Sequence, residues 1–208
     1  MDILERYVAI DNKCAWPNLT LMPDGSIVAS IFGEPCHQLW EGSSECWIST
    51  DGGKLWSFLS VPAHHEPGRT RGDLAAGLTH EGAFVALVSG RKFVPPTGEL
   101  LDRPRAPDEM GNYEAAVCRS TDGGKTWTME GLLNNFPPNV INAVPFGDVV
   151  KLPGGRLAVA CYSSPADHLE DEGDNSAWIY FSDDDGRTWG NARLIGANRY
   201  NETDLLVL

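Results

Sequence analysis

Ser49-Thr50-Asp51-Gly52-Gly53-Lys54-Leu55-Trp56 returns as Ser120-Thr121-Asp122-Gly123-Gly124-Lys125-Thr126-Trp127 and again as Ser182-Asp183-Asp184-Asp185-Gly186-Arg187-Thr188-Trp189. The shared pattern is Ser-x-Asp-x-Gly-x-Thr-Trp, with Leu55 as the one departure. A phrase that recurs at a near-regular interval makes the chain an array of like units. Each copy reads as a hairpin. The Asp-Gly-Gly or Asp-Asp-Gly centre supplies residues that tolerate positive φ, which tight strand connections need. Ser and Asp side chains bond nearby backbone N–H groups and fix the turn. The Trp then opens the outgoing strand, its ring placed to bury between neighbouring units.

A looser phrase precedes each turn: Leu21-Met22-Pro23-Asp24-Gly25-Ser26-Ile27-Val28, Leu78-Thr79-His80-Glu81-Gly82-Ala83-Phe84-Val85 and Lys151-Leu152-Pro153-Gly154-Gly155-Arg156-Leu157-Ala158. This reads as strand, tight turn, strand. Each unit therefore has four strands, A to D. The second strands (26–32, 83–89, 156–162) and third strands (46–49, 115–120, 177–182) are apolar and rich in Val, Ile, Ala and aromatics. Four-stranded units in tandem read as blades of a β-propeller.

The repeated phrase resembles the Asp-box, or BNR repeat, of the sialidase superfamily. That resemblance runs from Cys14 to the end of the chain and implies an all-β, sialidase-like β-propeller. Units fall at about 14–60, 72–130 and 143–194, and 201–208 reads as the first strand of a fourth. The family's rings have six blades, and a ring leaves no free edge only when it closes. The chain is therefore expected to be the N-terminal half of a longer propeller. A short protein that closes by dimerising is the alternative, and oligomeric state stays open.

Apolar residues make up 42% of the 208, enough for a core, and no run approaches the ~18–20 apolar residues of a membrane span. The start, Met1-Asp2-Ile3-Leu4-Glu5-Arg6, lacks a basic-then-apolar signal and points to the cytoplasm. Five cysteines without CxxC spacing read as free thiols, with Cys46, Cys118 and Cys161 buried in strands. The sequons at Asn18 and Asn201 read as chance. A net charge of −13 argues against a nucleic-acid partner. The acidic stretch 170–174 lacks the spaced ligands of a calcium cage and reads as a solvated loop. No cofactor is expected.

The short turns lie on one face of such units and the irregular loops on the other: 33–45, 61–72, 90–113, 130–142, 164–176 and 194–200. Loops around the mouth of a rigid scaffold are where function is carried. Proline-rich 90–113 reads as a lid or rim. The first residues of the innermost strands face that mouth: Trp16, Asp73, Phe146 and, in the fourth unit, Glu202. Aromatic rings for sugar faces and carboxylates for hydroxyls or acid–base work suit a glycan or small-sugar ligand. Arg71, beside Asp73, is either a sugar ligand or half of a structural ion pair on a surface turn.

What the resemblance implies is more particular. Sialidases place a Glu shortly after an Asp-box to activate a Tyr nucleophile, and Asn201-Glu202 matches that placement. The Tyr would lie beyond Leu208. The family's opening Arg-Ile-Pro corresponds to Ala15-Trp16-Pro17, so an arginine of the carboxylate-binding triad is replaced by Ala15. The general-acid Asp of the first B–C loop has no counterpart, leaving Glu34 or His37 as proton donor. His64-His65-Glu66 faces the mouth and would bind a metal only with further ligands. The expected function is a sialidase-like exo-glycosidase releasing terminal sugars. A non-catalytic propeller binding a glycan or protein, and a lyase or metal-assisted hydrolase, are the alternatives.

Overall fold

The computed structural model describes residues 7–36, 41–93, 110–163 and 175–208. These build three antiparallel meanders of four strands. The first is β1 (Cys14–Leu21), β2 (Ile27–Phe32), β3 (Gly42–Ser49) and β4 (Ser57–Ser60), with the short β5 (Thr70–Arg71) running parallel to the start of β3. The second is β6 (Asp73–Leu78), β7 (Phe84–Phe93), β8 (Met110–Ser120) and β9 (Thr128–Leu132). The third is β10 (Val144–Lys151), β11 (Leu157–Ser163), β12 (Ser176–Ser182) and β13 (Gly190–Gly196). The second and third join through their innermost strands, β6 and β10, which pair in parallel at Ala75↔Gly147 and Ala76↔Asp148. These strands run so close that a Cβ on Gly77 would lie 2.5 Å from the Val149 carbonyl oxygen. The protein is an all-β, propeller-type array, and among the described residues no helix is long and apolar enough to cross a membrane.

The second meander is buried on both faces, and its sequence shows why. Alternation along β7 sends Val85 and Leu87 to one side and Phe84, Ala86 and Val88 to the other. The first set packs with Val117, Leu157, Val159, Tyr180 and Trp189 between the second and third meanders. The other packs with Met22, Val28, Cys46 and Leu74 between the first and second. A strand buried on both faces needs a continuous apolar run, which is what 83–88 supplies. Cys46, Cys118 and Cys161 are buried free thiols.

All three copies of the repeated turn fold alike. Ser49, Ser120 and Ser182 each donate Oγ–H to the following Asp at 2.8 Å and accept the N–H of Gly53, Gly124 and Gly186 at 2.8–2.9 Å. The Asp also accepts backbone N–H groups, from Leu55, Thr126 and Thr188 among others. Thr126 and Thr188 add a hydroxyl bond to Asp122 and Asp184 at 2.7 and 2.6 Å. Leu55 cannot. Each Trp indole donates to a glycine carbonyl three residues back, Gly53, Gly124 or Gly186. Burial is graded: Trp189 is 3% exposed, whereas Trp56 and Trp127 are only half-buried.

One expectation is corrected. The stretch 90–113 does not open as irregular loop: Gly90↔Tyr113, Arg91↔Asn112, Lys92↔Gly111 and Phe93↔Met110 pair as a stem extending β7 and β8. Its four prolines lie outside the described residues, as does 170–174. Among the described residues no strand pairs with 201–208, the segment read as opening a fourth unit.

Candidate functional site

The starts of β1, β6 and β10 and the segment after β13 come together opposite the repeated turns. Trp16 and Phe146 meet edge to face, with ring centroids 6.0 Å apart at 72°. Trp16 has φ +48 at the irregularity that breaks the β1–β2 register. A bulky residue immediately before proline is unfavourable there, and such strain gathers at functional sites. Below the pair lies a cleft of about 420 Å³, lined by Trp16, Asn18, Leu74, Phe146, Asp148 and Asp204 among others.

Beside it stands a polar cluster. Asp73 pairs with Arg91 at 3.9 Å, and Arg91 donates to Asn112 Oδ1 at 2.6 Å. Tyr162 is buried at the end of β11. Burial pushes its phenol far above the ordinary range; Asp73 and, more weakly, Glu202 push the same way, while Arg91 opposes them. Tyr162 is therefore a neutral hydroxyl near neutral pH. Glu202 is exposed, with φ +48. Asn201 is exposed, and its carbonyl accepts from Thr203 Oγ1.

In the cleft, Asn18 Nδ2 donates to the Gly147 carbonyl at 2.9 Å and to Asp148 Oδ1 at 2.5 Å. Partial desolvation, and then the charge of Asp204, raise the Asp148 carboxyl above its ordinary value. The cleft thus offers an aromatic pair, an amide and two carboxyl groups, a donor–acceptor set suited to hydroxyl groups.

Arg71 departs from the surface-turn reading. It is 5% exposed, not on a surface turn. Its Nη1 donates to the Val88 and Glu114 carbonyls at 2.8 and 2.7 Å, and its guanidinium lies 3.7 Å from the Tyr113 ring centroid. The ion pair expected of it belongs to Arg91, so Arg71 acts as a strut under the second meander. Lys13, the cation nearest Ala15 in the chain, holds Glu45 at 3.1 Å and the Gly33 carbonyl at 2.6 Å. Glu34 is half-buried beside Gly42 and Phe32. His37 lies outside the described residues. His65 shares hydrogen bonds with Ser43, and Glu66 pairs with Arg69 at 3.0 Å. Among the described residues no group of three or more His, Cys, Asp or Glu is placed to hold a metal.

Trp16 thus lines the cleft with Phe146 and Asp148, Asp73 stands at the start of β6 with Arg91, and Glu202 lies in the same segment as the cleft-lining Asp204, while Glu34 and Arg71 are packed against other groups. Sequence reasoning missed Arg91, Asn112, Tyr162, Asp148 and Asp204. The available signal was the charge of Asp148 and Asp204 in otherwise apolar inner segments.

Comparison with known proteins agrees with this architecture. No protein-family model matches the chain. A sialidase of Micromonospora viridifaciens is 27% identical over 212 residues, covering 92% of this chain and 31% of that protein. The Hadza microbial sialidase Hz136 superposes with a TM-score of 0.66 at 19% identity, over 87% of this chain and 37% of that one. The NanB sialidase of Streptococcus pneumoniae gives 0.64 at 15% identity, over 91% and 45%. The chain is a sialidase-like β-propeller by fold. In sequence it is similar to the Micromonospora sialidase. It spans about a third of the length of that curated relative.

Proposed function

We propose that the protein is an exo-glycosidase of the sialidase-like class and that the described residues form one wall of its sugar site. The observation that carries this reading is the meeting of Trp16 and Phe146 over a cleft lined by Asn18, Asp148 and Asp204, with the Asp73–Arg91 pair at the start of the adjacent β6 and Glu202 in the same segment as Asp204. The rings take the apolar face of a terminal sugar, and Asp73 and the Asp148–Asp204 pair take its hydroxyls. Glu202 supports the nucleophile, in the role its placement after the third repeat suggests. Glu34 or His37 is the candidate proton donor.

Ala15 bears on which sugar. A triad arginine binds a carboxylate by charge-assisted, often bidentate bonds. Lys13, Arg71 and Arg91 are each engaged with protein partners. This favours a terminal sugar without a carboxylate, and it also lends weight to a second reading, a propeller that binds a glycan without cleaving it. The test is release of free sugar by the full-length protein from fluorogenic sialosides and neutral glycosides. Release of a neutral sugar is the expected result. Release of sialic acid would overturn the substrate preference, and no release from any substrate by folded protein would replace the glycosidase with the binder.

A further inference from the structure

Glu202 lies in the segment after β13, between two points where that segment is tied to the described strands. On one side, the Tyr200 N–H donates to the Asn175 carbonyl at 3.0 Å, and the Tyr200 ring packs where a Cβ on Gly196 would stand. On the other, Asp204 Oδ1 accepts the Asp148 N–H at 2.8 Å and the Leu205 N–H at 2.7 Å. The Asp204 carboxylate can lie this close only because residue 147 is glycine. Gly147 has φ +76, and a Cβ there would stand 2.1 Å from Asp204 Oδ1 and 2.8 Å from Asp204 Cβ. Such separations forbid any side chain at 147 unless Asp204 moves. Asn18 completes the arrangement from the first meander by bonding both the Gly147 carbonyl and Asp148 Oδ1.

We infer that Asp204, seated on Gly147 and the Asp148 N–H, is a positioning residue for Glu202. The clasp ties Glu202 to the innermost strand of the third meander, and through Asn18 to that of the first, where Trp16 stands. A segment held at two points four residues apart, Tyr200 and Asp204, has little freedom between them. Glu202 keeps its positive φ for that reason. This rests on the reading of Glu202 as part of a glycosidase site, and an active-site group displaced by about 1 Å can lose on the order of 100-fold in rate.

The test uses the full-length protein and three variants, Asp204→Ala, Asp204→Asn and Gly147→Ala. Hydrogen–deuterium exchange is read over the segments containing Asp148 and Leu205, with β11 as an internal control for folding. In Asp204→Ala, exchange at those segments should quicken while β11 stays protected. Its kcat on the best sugar substrate should fall about 10- to 100-fold with KM changed less than about threefold, the split expected of displaced chemistry. Asp204→Asn keeps an acceptor oxygen and should restore most of kcat. Gly147→Ala should resemble Asp204→Ala. Unchanged exchange in Asp204→Ala would overturn the clasp. Quickened exchange with unchanged kcat, in a protein whose wild type turns over, would overturn the positioning role and leave the glycosidase standing. A wild type that releases no sugar while its clasp exchanges slowly would instead overturn the reading of Glu202, and the positioning role with it.

Discussion

The third repeated turn breaks the pattern of the other two by placing Asp185 where they have Gly52 and Gly123, all three at positive φ. A non-glycine residue there costs on the order of 1 kcal/mol, so Asp185→Gly ought to stabilise if the turn were considered alone. The structure predicts the opposite. Asp185 Oδ2 accepts from Arg119 Nη2 at 2.7 Å across the second and third meanders, with the two side chains 9% and 6% exposed. Its Oδ1 also accepts the Glu81 N–H at 3.2 Å. Removing one partner of a buried pair costs ~3–5 kcal/mol because the other charge is stranded. Against that stand the ~1 kcal/mol of relieved backbone strain, the surviving bond from Arg119 Nη1 to the residue-185 carbonyl, and Glu81 at 3.7 Å. The net for Asp185→Gly is a loss of about 2–3 kcal/mol, or roughly 5–10 °C in thermal midpoint for a chain of this size. Calorimetry or thermal circular dichroism reads it. The double variant Asp185→Gly/Arg119→Met, with no stranded charge, should recover most of the loss. The sign with pH is also fixed. Burial works to raise the Asp185 carboxyl, but bonds from Arg119, Thr79 and the Glu81 N–H outweigh it and hold it below its ordinary value. The stabilisation is therefore present above an unfolded pKa of ~4 and fades on acidification below it, so wild type and variant should converge there. An unchanged or raised midpoint in Asp185→Gly at neutral pH would refute the reasoning.

Three other outcomes follow from the same geometry. Asp148 has a raised carboxyl, so its ionisation opposes folding: the penalty is absent below the unfolded pKa and grows as pH rises through the folded one. Asp148→Asn should raise the thermal midpoint at pH 7 and lose that advantage near pH 3; an equal gain at both would point to packing instead. Leu55→Thr should raise the midpoint by supplying the hydroxyl bond that Thr126 and Thr188 make, since Leu55 is 76% exposed and little packing is lost. Trp16→Ala should raise KM for the sugar about 5- to 30-fold, the ~1–2 kcal/mol scale of an aromatic contact; an unchanged KM would remove Trp16 from the site.

The repeat made the fold legible because its chemistry is local. Ser, Asp and Gly at fixed spacing dictate one turn, and the apolar runs 26–32, 83–89 and 156–162 match β2, β7 and β11 closely because strands buried on both faces read as unbroken hydrophobic stretches. Legibility failed where partners lie far apart in sequence. Arg91 and Asn112 pair across a stem whose polar residues carry no strand pattern. Arg71 was misplaced because an arginine beside an aspartate suggests a local pair, whereas carbonyls at 88 and 114 and the Tyr113 ring claim it. The Asp185 latch was hidden in plain view as the one Gly-to-Asp departure among the turn centres, legible only once Arg119 was known to face it.

The account turns on Glu202, and the most direct measurement is kcat/KM of the full-length protein and of Glu202→Gln on whichever fluorogenic glycoside the wild type cleaves best. The prediction is a fall of at least about 100-fold, on the scale of losing a group that acts in proton transfer, with an unchanged thermal midpoint because the side chain is exposed. A variant that keeps wild-type turnover would contradict the account and move the chemistry away from this opening.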